Sequence, residues 1–485
     1  MIISNVSQNH RNLTYDIAIY GAGPAGISLA LALSNAGLRI GLFEAGGVTI
    51  PPMDLELHPY RGQSLGRPYN VANTRLRYFG GTSNHWGGYC RPLDAYDFST
   101  RPYIPLSGWP ISRKELEPYL EAALDVCEVP SGGLGLKAFE HDFGYAGFLH
   151  HSHPAYVVKN FLFSPPTRFG VRYRQEIEEA EDIECFLEAT LARLMVTGGD
   201  LDKSLIKTSD GLQFHVSAEY HILAMGAIEN ARTLLFSEIA NTSDFVGRCF
   251  SDHLGHAVGT ALLDFDNRYF LQSVSKENQS LRIIPHLSLS DEALRELELP
   301  NAGILIDRRS SEPLNAIGTG VINQLNWLTK SNTHKFRVVF RMENTPNPES
   351  RITLTNETDI FGVPRIALNW QVNAFDFKSV ERLCAFLGST IGMAGGRFKT
   401  DYKLVNDEHQ PGLYQSHHLG TTRMSADPSN GVVDPTLRCH DVANLYVLGS
   451  SVFPTFGFAN PTMTIVALSL RLASHLRQKT GVLNA

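Results

Sequence analysis

Tyr15-Asp16-Ile17-Ala18-Ile19-Tyr20-Gly21-Ala22-Gly23-Pro24-Ala25-Gly26 decides the fold. An apolar run ends in Gly-x-Gly-x-x-Gly, and a helical pattern follows from Ile27 to Ala36. A second apolar run, Arg39 to Phe43, stops at Glu44, 18 residues after Gly26. Strand, glycine turn, helix, strand and acid, in that order, make a dinucleotide site. Gly21 permits the tight turn, Gly23 lets the backbone approach a pyrophosphate, and Gly26 lets helix and strand pack closely. Pro24 and Ala25 lie between those glycines, where the helix N-terminus offers unpaired N–H groups to phosphates. Glu44 can accept hydrogen bonds from an adenosine ribose. The plainer alternative is an ordinary βαβ turn.

At 485 residues the chain has room for two or three structural units, and 43% apolar residues can form large cores. The net charge of −7, with no dense Lys/Arg block, argues against nucleic-acid or anionic-membrane partners. Cys90, Cys127, Cys185, Cys249, Cys384 and Cys439 include no C-x-x-C pair. They read as buried thiols in a reducing compartment rather than a metal or dithiol centre. His150, His151 and His153 have no carboxylate or Cys at ligand spacing and read as a solvated loop, so no metal is expected. The polar stretch Met1–Thr14 has no signal-peptide core, and no run of about 18 apolar residues occurs. A cytoplasmic protein without a membrane span is the expectation, with export on a partner's signal as the alternative.

Further along, Ser112 to Cys127 reads as a helix opened by a Ser112/Glu115 capping box. Ile183 to Val196 and Gln213 to Ala224 read as strands, the second followed by a helix start at Ala227 to Phe236. From about Asp264 to Thr400 the pattern becomes alternating: strands at Arg337–Phe340, Arg351–Leu354 and Arg365–Val372, then a helix at Phe375–Met393. Asn444–Gly449 is a buried-strand pattern and Pro461–Leu476 a helix. The expected fold class is therefore α/β. A Rossmann-like nucleotide-binding domain is assembled from residues 14–90, 183–260 and 401–480. An α+β, antiparallel-sheet substrate domain is inserted as residues 91–182 and 261–400.

Two further segments carry chemistry. One is Phe79-Gly80-Gly81-Thr82-Ser83-Asn84-His85-Trp86; the other is His417-His418-Leu419-Gly420-Thr421-Thr422-Arg423-Met424. The latter is followed by Gly449-Ser450-Ser451 and Phe458-Ala459-Asn460-Pro461-Thr462. Together with the first fingerprint, these resemble the glucose–methanol–choline (GMC) family of FAD-dependent alcohol oxidoreductases. The resemblance implies FAD as cofactor. It assigns His417, which precedes Gly420-Thr421, as catalytic base, and Asn460, 43 residues later, as its partner. A neutral imidazole takes a hydroxyl proton well near pH 7, while an amide orients the hydroxyl without competing for that proton. Hydride would pass to flavin N5. Cofactor contacts are implied at Gly80, Gly81, Thr82, Asn84, His85, Leu191, Ala224, Gly226, Gly449, Ser450, Pro461 and Thr462.

The rival readings are explicit. His418 could be the functional histidine. Asn460 could cap a helix with Pro461 at its first position, whose positive end would then favour a reduced, anionic flavin. Asp252, His253 and His256 read as surface or hydrogen-bonded core residues, and Ser164 to Gly170 as a substrate loop or a turn. Gly-Gly-x-Ser-x-His-Trp, Gly449 and Asn460 resemble the pyranose 2-oxidase and bacterial sugar-oxidising branch. That branch implies a sugar or glycoside substrate and allows a covalent flavin link at His85; the alternative is a packed histidine. Oxygen, a quinone or a redox protein would reoxidise the cofactor. A hydroxynitrile-lyase-like enzyme, a non-sugar alcohol oxidoreductase and an NAD-dependent dehydrogenase are the competing functions.

Overall fold

Residues 12–20 form a strand because Ile17, Ala18, Ile19 and Tyr20 are apolar in succession and buried on both faces. It lies within an eight-stranded sheet of the computed structural model, which describes residues 1–4, 12–50, 60–141, 153–264, 272–276, 279–307, 324, 333–401 and 415–482. His150 and His151 fall outside these residues, as does the side chain of His256. The strand order is Ile2–Ile3, Ile183–Phe186, Ile40–Phe43, Asn12–Tyr20, Gln213–Leu223, Asp200–Lys207 and Thr190–Thr197. The first five pair in parallel, and Leu445–Val447 adds in parallel to Gln213–Leu223.

The first helix, Pro24–Leu33, starts three residues before the apolar pattern that announced it. Pro24 sits in its first turn, where a missing N–H costs nothing. A Cβ on Gly26 would lie 1.9 Å from the Gly21 carbonyl oxygen, so only glycine lets this helix approach its strand. Gly21 itself has φ +104°, and a Cβ there would meet the Ala224 carbonyl oxygen at 2.7 Å. The C-terminal helix Thr462–Lys479 packs against Pro24–Leu33 and against Arg113–Val126, which carries the expected Ser112/Glu115 box. The single strand expected over 183–196 is two, Ile183–Phe186 and Thr190–Thr197. Between them Glu188 takes φ +56°, which turns the chain out of the parallel set into an antiparallel meander.

The second sheet is antiparallel. Its order is Arg397–Thr400, Leu254–Asp264, Thr333–Met342, Ala302–Asp307, Gln279–Leu289, Tyr156–Phe163 and Tyr89–Cys90, with Gln272–Lys276 beside Gln279–Leu289. Leu254–Asp264 and Tyr89–Cys90 thus pair here, not in the parallel sheet. The helix Ala374–Met393 contacts strands Leu254–Asp264 and Arg397–Thr400 of this sheet. A small third sheet joins Arg351–Thr358, Pro364–Asn369 and Gln63–Ser64. The architecture is the α/β fold with an inserted antiparallel sheet. All six cysteines are free and buried. Among the described residues no helix is long and apolar enough to cross a membrane.

Candidate active site

Open α/β sheets bind ligands beyond the carboxyl ends of their strands. A cleft of about 620 Å³ lies there. Gly21, Gly23, Pro24 and Ala25 line it from the end of the first strand, and Glu44 from the end of the second. Ala224 and Gly226 follow Gln213–Leu223; Gly449 and Ser450 follow Leu445–Val447. Gly81, Thr82 and His85 enter from a short 3₁₀ turn, and Leu191 from Thr190–Thr197. His417, Asn460, Pro461 and Thr462 complete the wall.

A Cβ on Gly23 would touch nothing within 4 Å, so this position faces open space. Glu44 is buried; its Oε2 accepts from the Ala22 amide and its Oε1 from the Gly46 amide, each at 2.9 Å. Burial pushes its carboxyl above the usual range, against those two bonds.

Three expected contacts lie outside the lining. Gly26 packs beneath the turn. Gly80, at φ +92°, makes room for the Gly170 amide, which a Cβ would meet at 2.3 Å. Asn84 donates to the Phe79 carbonyl (2.7 Å) and accepts from the Gly170 amide (3.2 Å), so its amide braces the turn. The Ser164–Gly170 segment serves the same end. Arg168 donates to the Trp86 carbonyl at 2.8 Å, the Thr167 carbonyl accepts from the Trp86 indole at 2.8 Å, and no residue of the segment lines the cleft.

At the centre, Asn460 Nδ2 lies 3.2 Å from His417 Nε2. Asn460 does not cap the following helix, whose cap is Pro461; its carboxamide is turned to the histidine instead. Arg341 Nη1, from the end of Thr333–Met342, donates to Asn460 Oδ1 at 2.9 Å. On the far side of the imidazole, His417 Nδ1 stands 3.0 Å from His253 Nδ1, with the rings at 89°. Neither Arg341 nor His253 was an expected site residue. Burial, and then the Arg341 cation, holds His417 down to about 3, so the ring is neutral. His253 is held well below the ordinary imidazole value by burial, then by His417 and Arg341. His418 also borders the cleft, but its Nε2 is engaged with Thr74 Oγ1 at 3.0 Å.

Asp252, His253 and His417 offer ligand atoms within 4.8 Å of one another. The carboxylate is already engaged, however. Its Oδ1 accepts from the backbone N–H of His253 (2.7 Å), His417 (3.0 Å) and Gln415 (3.2 Å), and its Oδ2 from the Tyr69 hydroxyl (2.7 Å). The trio is a hydrogen-bonded frame for the imidazoles.

Residues 346–469 match the C-terminal GMC oxidoreductase family model. The chain is 24% identical over 542 residues to 6'''-hydroxyparomomycin C oxidase of Streptomyces lividus, covering 95% of this chain and 92% of that protein. A 137-residue stretch is 31% identical to pyranose 2-oxidase of Tricholoma matsutake, covering 28% and 24% of the respective chains. In structure it is similar to pyridoxine 4-oxidase from Mesorbium loti, with a TM-score of 0.60 at 18% identity over 96% of this chain and 99% of that one.

Proposed function

We propose that the chain is a GMC-type oxidoreductase that uses bound FAD to oxidise a secondary hydroxyl of a sugar or glycoside to a carbonyl, with His417 as base. The observation that carries this reading is the His417–Asn460 pair, which opens into the same cleft as the Gly21–Gly26 turn. The residues fit the cofactor: a cleft of about 620 Å³, open space over Gly23, a helix N-terminus at Pro24 and a buried carboxylate at Glu44. FAD, when bound, supplies the acceptor for the hydride that leaves the carbinol carbon.

His417 supplies the other half of the chemistry. The substrate hydroxyl takes the place of Asn460 Nδ2 as the partner of His417 Nε2, and its proton passes to that nitrogen while the O–H electron pair becomes the second bond of the carbonyl. Asn460 Nδ2 then donates to the same oxygen. Arg341, one hydrogen bond behind, favours the negative charge that develops there. Oxygen, a quinone or a redox protein then takes the electron pair from the reduced enzyme. The sugar or glycoside class is supported by the substrates named in the relatives and by the Gly80–Trp86 segment. The buried thiols suit cytoplasmic residence.

Anaerobic titration of the yellow protein with monosaccharides, glycosides and simple alcohols is the test. Bleaching of the flavin band is expected with sugars or glycosides. Purification as a colourless protein, or failure of every alcohol to bleach it, would sink the proposal; turnover of a cyanohydrin without bleaching would favour the lyase. His417→Ala should retain FAD yet slow reduction by roughly 10²-fold or more. His85 lines the same cleft with its ring exposed, which makes it the residue available for a covalent bond to FAD. Acid-precipitated protein that keeps its yellow colour would establish that link, and full release would exclude it.

A further inference from the structure

We propose that His253 is a positioning residue that fixes the proton of His417 on Nδ1, as the last member of a one-way relay running Arg341, Asn460, His417, His253. The proposal deepens the reading above and rests on it. A guanidinium can only donate. Arg341 Nη1 at 2.9 Å therefore identifies the Asn460 atom it meets as the carbonyl oxygen, and the amide nitrogen must face the imidazole. An amide nitrogen also only donates, so His417 Nε2 must accept and carry a lone pair. The His417 proton then sits on Nδ1, 3.0 Å from His253 Nδ1, which must accept in turn, and the His253 proton sits on its buried Nε2, with the Gly457 backbone as the neighbour that favours it.

Asp252 holds the two histidines in register. One of its oxygens accepts from the backbone N–H of both. Phe456 packs edge-on against the His253 ring, at 4.9 Å between centroids. The acceptor is a neutral imidazole; the nearby carboxylate is spent on backbone amides and the Tyr69 hydroxyl. Removing the acceptor strands a buried N–H on His417, and a stranded donor is costly. The ring would relieve that cost by moving its proton to Nε2, the nitrogen that has to receive the substrate proton. With His253 present, the imidazolium formed during oxidation keeps a partner on Nδ1.

The experiment compares His253→Phe, which has no acceptor on the ring, with His253→Asn, which returns an acceptor oxygen. Anaerobic stopped-flow reduction of the holoenzyme should slow on the order of 10²-fold in His253→Phe, with substrate half-saturation nearly unchanged. His253→Asn should recover most of that loss. ¹⁵N spectra of the oxidised holoenzyme, assigned by difference with His417→Gln, should show Nε2 of His417 unprotonated in the wild type. Wild-type reduction rates in His253→Phe, equal slowing in both variants, or a wild-type His417 protonated on Nε2 would each overturn the proposal. If His253→Phe fails to fold, the ¹⁵N spectrum of His253→Ala decides: Nε2 of His417 gaining a proton supports the role of His253, and Nε2 staying unprotonated overturns it. Unimpaired reduction in His417→Ala would instead overturn the assigned base, and the spectrum would still report on His253.

Discussion

A base that is already neutral is ready at every ordinary pH. As the proposed base, His417 acts in its deprotonated form, so holding it down to about 3 would extend activity towards acid. The rate of cofactor reduction should stay level as pH falls through about 6.5, where a free imidazole is half protonated, and drop only well below that. A reduction rate that halves near 6.5 in a stopped-flow pH series would contradict this. Arg341→Met removes the cation that is the second cause of the depression, so the acid limb should move up in pH. The same change frees Asn460 Oδ1 and should slow reduction about tenfold, the loss expected for one oriented hydrogen bond. His417 and Asn460 were legible because each lies in a short local pattern at a fixed separation. His253 and Arg341 were not. They stand 164 residues from His417 and 119 from Asn460, and only the meeting of the two sheets brings them to the site.

The glycine turn separates folding from binding within four residues. Gly26→Ala drives a methyl group into the Gly21 carbonyl, a backbone atom that cannot step aside. Overpacking of this kind costs about 1–3 kcal/mol, to be seen as a lower melting temperature or loss of soluble protein. Gly23→Val, at φ −83°, adds atoms only to open space. It should fold as well as the wild type but purify with a lower flavin-to-protein absorbance ratio; full loading would refute the cofactor placement. The turn was readable because glycine and the flanking apolar runs are local signals. The helix start was read late because Pro24 and Gly26 interrupt the apolar period without interrupting the helix. The break at Glu188 was invisible, since a left-handed residue that is not glycine leaves no mark in the pattern. Asn460 before Pro461 looked like a cap because local rules favour one; the long-range partners His417 and Arg341 took its side chain instead.

The whole molecule is tied together by charges as well as by apolar cores. Arg101 meets Glu343 through two hydrogen bonds, at 2.6 and 3.2 Å, and both side chains are almost wholly buried. The same Glu343 accepts from the Phe456 amide at 2.9 Å, linking the end of Thr333–Met342 to the segment that delivers Asn460. Glu343→Ala leaves an unpaired buried guanidinium and should cost about 3–5 kcal/mol, measurable by denaturant unfolding; a loss under about 1 kcal/mol, the scale of an exposed pair, would show the pair to be dispensable. The division into a parallel and an antiparallel sheet was legible from where apolar runs give way to alternation. The order of the antiparallel strands was not, because it arises from pairings such as Tyr156–Phe163 with Gln279–Leu289 across more than a hundred residues. The strand Leu445–Val447 beside His221–Leu223 has a consequence for how the enzyme is made. Contacts so distant in the chain form late, and a ribosome must have released the chain past Val447 before this strand can dock. Until then the nascent protein presents a bare edge at His221–Leu223, beside the glycine turn, and closure of the proposed cofactor cleft waits for that docking.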